Sequence, residues 1–289
     1  MFNFLQTYLP QPILFQFGFI RVYWYGLFIV LGTLAGLMVV LKLAARKKIP
    51  SDEIYNLGFY LIIFSLIGAR IYSIFLDLPY YLQNPFEIVA VWHGGLAIHG
   101  AIIGGVLTLL IYCWRKKYSF WLWADILAVA LPLGQGFGRW GNYFNQELFG
   151  KPTDLPWGIP IALENRPIEY LSYQYFHPTF IYESILNLLN FLILLFLFHF
   201  FYRHPGLDSG SQAKEMPKQI RHDNLAGVIF LIYLINYSFI RILMEFLRTD
   251  PAPLIYGFRL PVIVSGVIIV LSLIILIIKS TKSQITSSK

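Results

Sequence analysis

Polar side chains that could hold an anion crowd into the stretch GRWGNYFNQELFG, residues 138–150. Arginine offers a planar fork of donors that matches a phosphate, and amide side chains can complete the shell around it. On one continuous helix, Arg139, Asn142 and Gln146 would share a face, with Asn145 beside them. The motif predicts a phosphate-binding site, and the alternative is a purely structural polar network between helices.

A second candidate group lies in HGGLAIHGAIIGG, residues 93–105. Gly100 and Gly104 form a small-xxx-small pattern that lets another helix approach closely, and the same spacing recurs in residues 134–138. We expect His99 to lie inside this close-packed face. There it would act either as a proton acceptor or as a packing residue that is hydrogen-bonded across helices.

A third group recurs at helical spacing in YSFIRILMEFLRTD. Tyr237, Arg241, Glu245 and Arg248 would form a stripe along one face of a helix. Arg241 and Glu245 could simply neutralise each other. An ion pair opposite another arginine-containing motif nevertheless exceeds what packing requires, so the stripe is a second candidate for holding negative charge.

Two smaller groups stand where other apolar segments begin. YWYG, residues 23–26, contains Tyr25, for which the alternative is an ordinary interfacial aromatic belt. HPTFIYE, residues 177–183, contains His177 and Glu183 directly before and at the start of a long apolar run, which we predict to span the membrane. Polar residues at such positions usually face a cavity, a partner or a substrate.

Helices within a membrane must position all of these residues. The sequence is 57% hydrophobic and 13% charged, whereas a soluble domain is roughly 45–50% apolar and 25% charged. Apolar runs of about 17–25 residues cross a bilayer as helices, so the predicted fold class is an all-α integral membrane protein. The fourth predicted span is the least regular, because Asp125 and Pro132 interrupt it. The seven predicted spans are Tyr25–Leu43, Ile54–Ile74, Ala97–Trp114, Phe120–Phe137, Thr179–Tyr202, Ala226–Leu247 and Leu260–Ile278.

Basic residues set the predicted orientation, because Lys and Arg concentrate in short cytoplasmic loops. With the N-terminus outside, the basic clusters near residues 42–48, 115–117, 203–221 and 279–289 all fall on the cytoplasmic side, as does the C-terminus. Residues 138–177 would then form a small structured cap on the outer face. The polar residues 203–224 would form a flexible cytoplasmic linker. The net charge of +7 follows from this topology and indicates no nucleic-acid partner.

Together these motifs resemble the prolipoprotein diacylglyceryl transferases of the bacterial cytoplasmic (inner) membrane. The signature of that family, Gly-Arg-x-Gly-Asn-x-x-Asn-x-Glu-x-x-Gly, is matched in residues 138–150. The resemblance covers nearly the whole chain, which implies a single integral-membrane transferase domain over residues 1–289. Its supporting matches, in the right order, are Tyr25-Gly26, GGLAIHG with His99, HPTFIYE, and Arg241 with Glu245 and Arg248.

The resemblance implies transfer of the diacylglyceryl group of phosphatidylglycerol to the lipobox cysteine thiol of a prolipoprotein signal peptide. A thioether forms and glycerol phosphate leaves. The expected partners are therefore phosphatidylglycerol, prolipoprotein signal peptides and membrane lipid. Because a phosphate monoester is a competent leaving group, we expect no metal and no cofactor, and the sequence has no His/Asp/Glu cluster with metal-ligand spacing.

The resemblance also implies roles for individual residues. A cysteine attacks as the thiolate and has an unperturbed pKa of about 8.5, so a nearby base is needed, and His99 is the best candidate. Arginines would stabilise the leaving phosphate. The implied catalytic residues are His99, Arg139, Arg241 and Tyr25. The residues implied to bind phosphatidylglycerol are Arg139, Asn142, Asn145, Glu147, Gly150, Tyr237, Glu245, Arg248 and His177.

The alternative function is a polytopic membrane transporter with an anion-binding site, which would also carry arginines within its spans. Transporters often contain internal repeats, and this sequence has no visible repeat. An intramembrane protease would need a motif such as His-Glu-x-x-His, which is absent from the sequence. The transferase is therefore the favoured interpretation.

Overall fold

The computed structural model describes residues 3–202 and 225–287, with side chains over residues 5–202 and 225–281. Within that part of the chain, seven helices are long and apolar enough to cross a membrane. The predicted all-α membrane fold is confirmed, whereas the predicted linker, residues 203–224, lies outside the described residues. In chain order the helices are α1 (Asn3–Thr7), α2 (Trp24–Arg46), α3 (Ser51–Leu76), α4 (Leu78–Gln83), α5 (Ile98–Lys116), α6 (Phe120–Phe144), α7 (Thr179–Phe201), α8 (Val228–Glu245) and α9 (Leu260–Ser287). All but the short α1 and α4 are candidate membrane spans.

Short antiparallel hairpins occur where the chain lies outside these helices. In the hairpin that precedes α9, Tyr256 and Gly257 both have positive φ, at 49° and 81°. Positive φ at both central residues is what a tight hairpin with the normal strand twist requires. The strand pairs are β1 (Ile13–Phe17) with β2 (Ile20–Tyr23), β3 (Ile159–Pro160) with β4 (Tyr175–Phe176), and β5 (Leu254–Ile255) with β6 (Phe258–Arg259).

The fourth membrane helix, α6, runs unbroken past Pro132 to Phe144. The predicted end at Phe137 was therefore too early, and the added turns carry Arg139 and Asn142 on the helix itself. The chain then turns sharply, because Gln146 adopts a left-handed φ of 51°. The last turns of α6 therefore carry polar side chains, and a loop begins directly after them.

The described chain divides into two compact units. The first unit combines the N-terminal part of the chain up to Val39 with everything from Leu127 onward. Within it α8 packs against both α7 and α9. Gly32 of α2 lies against α6, where an added Cβ would be 3.2 Å from the Gly134 carbonyl oxygen. Close packing is therefore found at Gly134, but the prediction for Gly138 was wrong, because nothing lies within 4 Å of its Cβ position.

The loop between α6 and α7 has an apolar core of its own. The Tyr143 and Phe180 rings, from the helices on either side of the loop, stack with centroids 4.3 Å apart. Phe176 of β4 is fully buried beside Phe149, with ring centroids 4.9 Å apart. The loop is therefore a folded element that holds the end of α6 against the start of α7. The buried members of this cluster are Tyr143, Phe149, Ile159, Ile161, Phe176 and Phe180.

The second unit, Val40–Ile126, is built around the pair α3 and α5. A Cβ added to Gly68 of α3 would lie 2.5 Å from the Gly100 carbonyl oxygen of α5. Gly104 approaches the Phe64 carbonyl oxygen of α3 in the same way. The prediction that Gly100 and Gly104 admit a second helix is confirmed, because only glycine leaves room for main chain to meet main chain here.

Candidate active site

Arg139, on α6, joins its own helix to α7. Its Nε lies 2.7 Å from Glu183 Oε2, and its Nη1 donates to Asn142 Oδ1 at 3.2 Å. The Glu183 side chain is 5% exposed and that of Arg139 is 21% exposed. A buried carboxylate thus fixes one edge of the guanidinium, while the rest of the group stays partly open.

The amide side chains of the motif continue this contact beyond the end of α6. Asn142 Nδ2 donates to Glu147 Oε1 at 2.7 Å, and Asn145 Nδ2 reaches the same oxygen at 3.4 Å. Asn142 is buried, whereas Glu147 is exposed. The four residues Arg139, Asn142, Asn145 and Glu147 therefore form one connected polar surface.

Gln146 does not join this surface, and its predicted place on the Arg139 face was wrong. Because α6 ends at Phe144, Gln146 points elsewhere: its Nε2 donates to the Pro10 carbonyl at 2.8 Å. Its Oε1 accepts from the Ala162 backbone N–H at 2.6 Å. Gln146 thus ties the loop to the N-terminal segment.

Tyr25, near the start of α2, lies against the signature motif. A Cβ added to Gly141 would be 2.5 Å from Tyr25 Cδ2, so the ring rests directly on the glycine. The Tyr25 hydroxyl interacts electrostatically with Glu147, Arg139 and Asn142. The structure therefore brings Tyr25 to the polar surface rather than leaving it as an isolated belt residue.

Glu183 connects this surface to the residues that follow α8. Its Oε1 lies 3.6 Å from Arg248 Nη1, and Arg248 Nε lies 2.6 Å from Asp250 Oδ1. The Arg248 side chain is 4% exposed. Helix α8 ends at Glu245, so Arg248 lies beyond the helix. The predicted helical stripe therefore holds only three of its four residues, Tyr237, Arg241 and Glu245. Arg248 instead lies between the carboxylates of Glu183 and Asp250 as a buried link.

The third part of the cluster surrounds Glu245, whose side chain is 1% exposed. Glu245 Oε2 lies 2.9 Å from Arg241 Nη2, and Oε1 lies 2.8 Å from Arg259 Nε. Arg259 also donates to the carbonyls of Arg248 and Asp250, at 3.0 and 2.5 Å. Arg241 and Glu245 thus form the expected ion pair. Glu245 also pairs with Arg259, so one carboxylate serves two arginines.

These contacts make one continuous network within the first unit. Its directly paired groups are four arginines and three carboxylates, an excess of one positive charge. Arg241 also interacts with the charges of Arg248 and Glu183. We call the set the ion-pair network: Arg139, Glu183, Arg241, Glu245, Arg248, Asp250 and Arg259.

Two ionisable groups at the edge of the network, outside the spans, have shifted pKa values. Burial alone would raise the pKa of Asp250, but the Arg248 hydrogen bond and the charges of Arg248, Arg241 and Arg259 outweigh it and lower the pKa. Burial lowers the pKa of His177, which favours the neutral imidazole. Asp250 is therefore held ionised.

His177 and Gly150 meet where the loop returns to α7. The Gly150 N–H donates to the His177 carbonyl at 3.0 Å, and a Cβ on Gly150 would be 2.7 Å from His177 Cβ. His177 Nδ1 lies 3.2 Å from the Tyr182 hydroxyl. Gly150 thus lets two main-chain segments meet.

Tyr237, one helical turn before Arg241, stacks on Tyr233 with centroids 6.0 Å apart.

His99 belongs to the second unit, on the first turn of α5. Its predicted place inside the close-packed face was wrong: Gly100 is buried, whereas His99 is exposed. Successive helical residues point about 100° apart, so a glycine in the interface turns its neighbour away from it. The His99 ring lies beside the ring of Tyr72 of α3, with centroids 5.8 Å apart.

Sequence reasoning placed Glu183 of the HPTFIYE motif among the candidate polar groups but gave it no role, and it did not assign Asp250 or Arg259 to the site. Asp250 follows Arg248 by two residues, and Arg259 directly precedes α9. Their pairing with distant residues was the information that a single sequence did not supply.

The fold and the network define a polytopic membrane protein with an arginine-rich, carboxylate-braced polar site. The chain matches the family model of prolipoprotein diacylglyceryl transferase over residues 12–278. It is 42% identical over 265 residues to the phosphatidylglycerol–prolipoprotein diacylglyceryl transferase of Synechococcus sp. (strain CC9902), covering 89% of each chain. It is 44% identical over 242 residues to that of Parasynechococcus marenigrum (strain WH8102), covering 84% of this chain and 81% of the relative.

The chain therefore belongs to the prolipoprotein diacylglyceryl transferase family. With seven candidate spans in its described part and bacterial relatives, it is a multi-pass bacterial membrane protein.

Proposed function

We propose that this protein transfers the diacylglyceryl group of phosphatidylglycerol to the lipobox cysteine of prolipoproteins, forming a thioether and releasing glycerol phosphate. The observation that carries the proposal is the partly open guanidinium of Arg139, held by buried Glu183 and connected to Asn142. Membership of the family and the names of the relatives support the same reaction.

In this proposal the phosphate of the lipid binds to Arg139 and Arg241. Both side chains are about one-fifth exposed, at 21% and 20%, whereas Arg248 is buried at 4%. In this proposal Glu245 and Arg248 support the exposed arginines. Glu245 pairs with Arg241, and Arg248 pairs with Glu183, which in turn holds Arg139. The remaining proposed lipid contacts are Asn142, Asn145, Glu147 and Tyr237, with Tyr25 at the reacting end and Gly150 and His177 shaping the edge of the site.

The chemistry requires a thiolate and a stabilised leaving group. The cysteine sulfur forms a bond to the glyceryl carbon, and the carbon–oxygen bond to phosphate breaks. The electron pair leaves on the phosphate oxygen, where the arginines stabilise the charge. We assign His99 as the base that accepts the thiol proton. Its exposed side chain leaves the imidazole accessible to a substrate.

The direct test uses purified protein in vesicles that contain phosphatidylglycerol. We expect glycerol phosphate release only when a lipobox peptide is added, and none when the peptide carries serine in place of its cysteine. Release without peptide, or no release at all, contradicts the transferase. Uptake of an anion independent of the peptide would instead support the transporter.

A second test examines His99. The variant His99→Gln keeps hydrogen bonding but not proton transfer, so we expect a loss of about 10²–10⁴-fold in rate. The loss should shrink as the pH approaches about 8.5, where the thiolate forms unaided. A defect that stays constant across this range would show that His99 is not the base.

We further propose that residues 1–289 form one integral-membrane transferase domain with the N-terminus and residues 138–177 outside and the C-terminus in the cytoplasm. The positions of the basic clusters support this orientation. In the same orientation residues 203–224 form a cytoplasmic linker. Reporter fusions within residues 151–170 and at Lys289 test it, and a cytoplasmic signal from the first fusion would overturn both the topology and the site.

A further inference from the structure

Arg70, on α3, is a buried cation whose partners in the described part of the chain are main-chain carbonyls. The residue is 6% exposed. Its guanidinium also lies over the Tyr81 ring, 5.0 Å from the centroid. A buried charge must be compensated, and here carbonyl dipoles and a ring face provide that compensation. The carbonyls that accept from Arg70 belong to Glu87, Ile88, Ala90, Gly94 and Gly95.

The accepting carbonyls all lie in the segment that leads from α4 to α5. Gly94 and Gly95 have φ of 94° and 68°, which bends the main chain around the guanidinium. A Cβ on Gly95 would be 2.6 Å from Arg70 Nη1 and 2.6 Å from the Tyr81 hydroxyl. The segment is therefore wrapped closely around Arg70 and takes its shape from it.

The neighbours of Arg70 on α3 hold the first turn of α5. The Ala69 carbonyl accepts from the Ala97 N–H at 3.2 Å, and Gly68 meets Gly100 main chain to main chain. The His99 ring lies beside the ring of Tyr72. Residues 68–72 thus fix the segment before His99, the turn that carries it and one side of its ring.

We propose that Arg70 is a positioning residue for His99. It sets the path of residues 87–95 and, through them, the position from which α5 starts and His99 projects. This inference rests on the proposed transferase function and on the role assigned to His99. Arg70 itself is too buried, and its donors too fully used, to contact a substrate directly.

The geometry suits arginine and no other side chain. Arg70 donates from Nε, Nη1 and Nη2 in one plane to carbonyls that face it from several directions. Lysine has donors on a single nitrogen and can serve only part of this set. Methionine fills similar volume but leaves the carbonyls without a donor. The two substitutions therefore grade the loss of the interaction.

The test combines Arg70→Met, Arg70→Lys and His99→Gln in the phosphatidylglycerol and lipobox-peptide assay. We expect Arg70→Met to lower kcat about 10²-fold, the effect of small misplacement of a reacting group, with the KM for phosphatidylglycerol nearly unchanged. Arg70→Lys should recover part of the loss. The double variant Arg70→Met/His99→Gln should be no slower than His99→Gln alone, because both changes act through the same group.

The matched control is Lys116→Met, at the opposite end of the same helix pair. Lys116 Nζ lies 3.0 Å from Glu53 Oε1, so this variant removes a cation that bridges α3 and α5 without touching the segment around Arg70. We expect it to leave kcat unchanged. A comparable kcat loss in Lys116→Met would attribute the Arg70 effect to general loosening of the helix pair and overturn the proposal.

A readout that does not depend on activity separates the possible failures. Hydrogen exchange at the amides of residues 87–97 should accelerate in Arg70→Met and not in Lys116→Met. Unchanged exchange, multiplicative losses in the double variant, or wild-type activity of His99→Gln each overturn the positioning role. If the wild-type protein is inactive with the lipobox peptide while Arg70→Met still exchanges faster than Lys116→Met, the result contradicts the proposed function instead.

Discussion

The ion-pair network of the first unit and the buried Arg70 of the second unit compensate the charge of arginine in different ways. In the ion-pair network of the first unit, the guanidinium groups meet side-chain carboxylates: Arg139 contacts Glu183, and Arg241 contacts Glu245. In the second unit, Arg70 meets main-chain carbonyls of a single segment. The network is built mainly from side-chain carboxylates, with two carbonyls at Arg259, whereas the surroundings of Arg70 are built from backbone.

This difference suits the network to the proposed phosphate site and the Arg70 arrangement to the proposed support. A carboxylate that shares an arginine can rotate when a phosphate arrives, so an ion pair can exchange partners with a charged ligand. A main-chain carbonyl moves only with its segment. The network therefore suits transient charge in a reaction, and the Arg70 arrangement suits permanent placement.

The largest effect is expected where a single carboxylate serves two arginines. Glu183→Gln removes the charge that Arg139 and Arg248 share and leaves buried Arg248 with less compensation. We expect a loss of about 3–5 kcal/mol in the free energy of unfolding. Denaturant titration in micelles measures it, with the exposed Glu164→Gln as control. Equal stability of the two variants would show that Glu183 does not brace the network.

The next effect concerns the open edge of the same cluster. Arg139→Lys keeps the charge but loses the planar fork, so we expect activity to fall about 10²–10³-fold with near-normal stability. The control is Arg166→Lys, because Arg166 donates to the carbonyls of Ile161 and Leu171 in the folded loop and lies outside the ion-pair network. Turnover of Arg139→Lys close to that of the control would count against bidentate phosphate binding.

Much of the fold was readable from the sequence, because hydrophobic runs of membrane length have few other interpretations. The error came at the end of α6, where polar residues such as Arg139 and Asn142 belong to the helix and not to the loop. Hydropathy alone ends a span where charge begins. The helix continues because the polar side chains find partners, which the hydropathy of a segment does not encode.

The site was readable in part for a related reason. Arg139, Asn142 and Glu147 are close in sequence, so helical spacing and one turn bring them together. Glu183 and Arg259 join through the packing of helices that are far apart in the chain. The carbonyls around Arg70 carry no side-chain signature at all, and only the neighbouring pair Gly94-Gly95 hinted at an unusual main-chain path.

A third effect tests whether the second unit depends on main-chain contact. Gly100→Ala places a methyl group against the Gly68 carbonyl and Tyr72 Cβ, and neither can move without shifting α3. We expect a loss of about 1–3 kcal/mol in the free energy of unfolding. Gly58→Ala is the control, since nothing lies within 4 Å of its Cβ position. It should instead gain up to about 1 kcal/mol from helix propensity.

The smallest effect tests a half-buried ion pair at the rim of the network. Asp250 has a depressed pKa, so its carboxylate stabilises the fold above the ordinary value of 3.8, and this contribution disappears as the pH falls through the lower folded value. Asp250→Asn should therefore lower the free energy of unfolding by about 1 kcal/mol at neutral pH. The difference from wild type should vanish in acid, when the wild-type residue is also neutral. Unfolding titrations at neutral and acidic pH measure this difference in the free energy of unfolding, with Asp154→Asn, at an exposed position, as control. A difference that does not change with pH would assign the effect of Asp250 to shape and hydrogen bonding and not to charge.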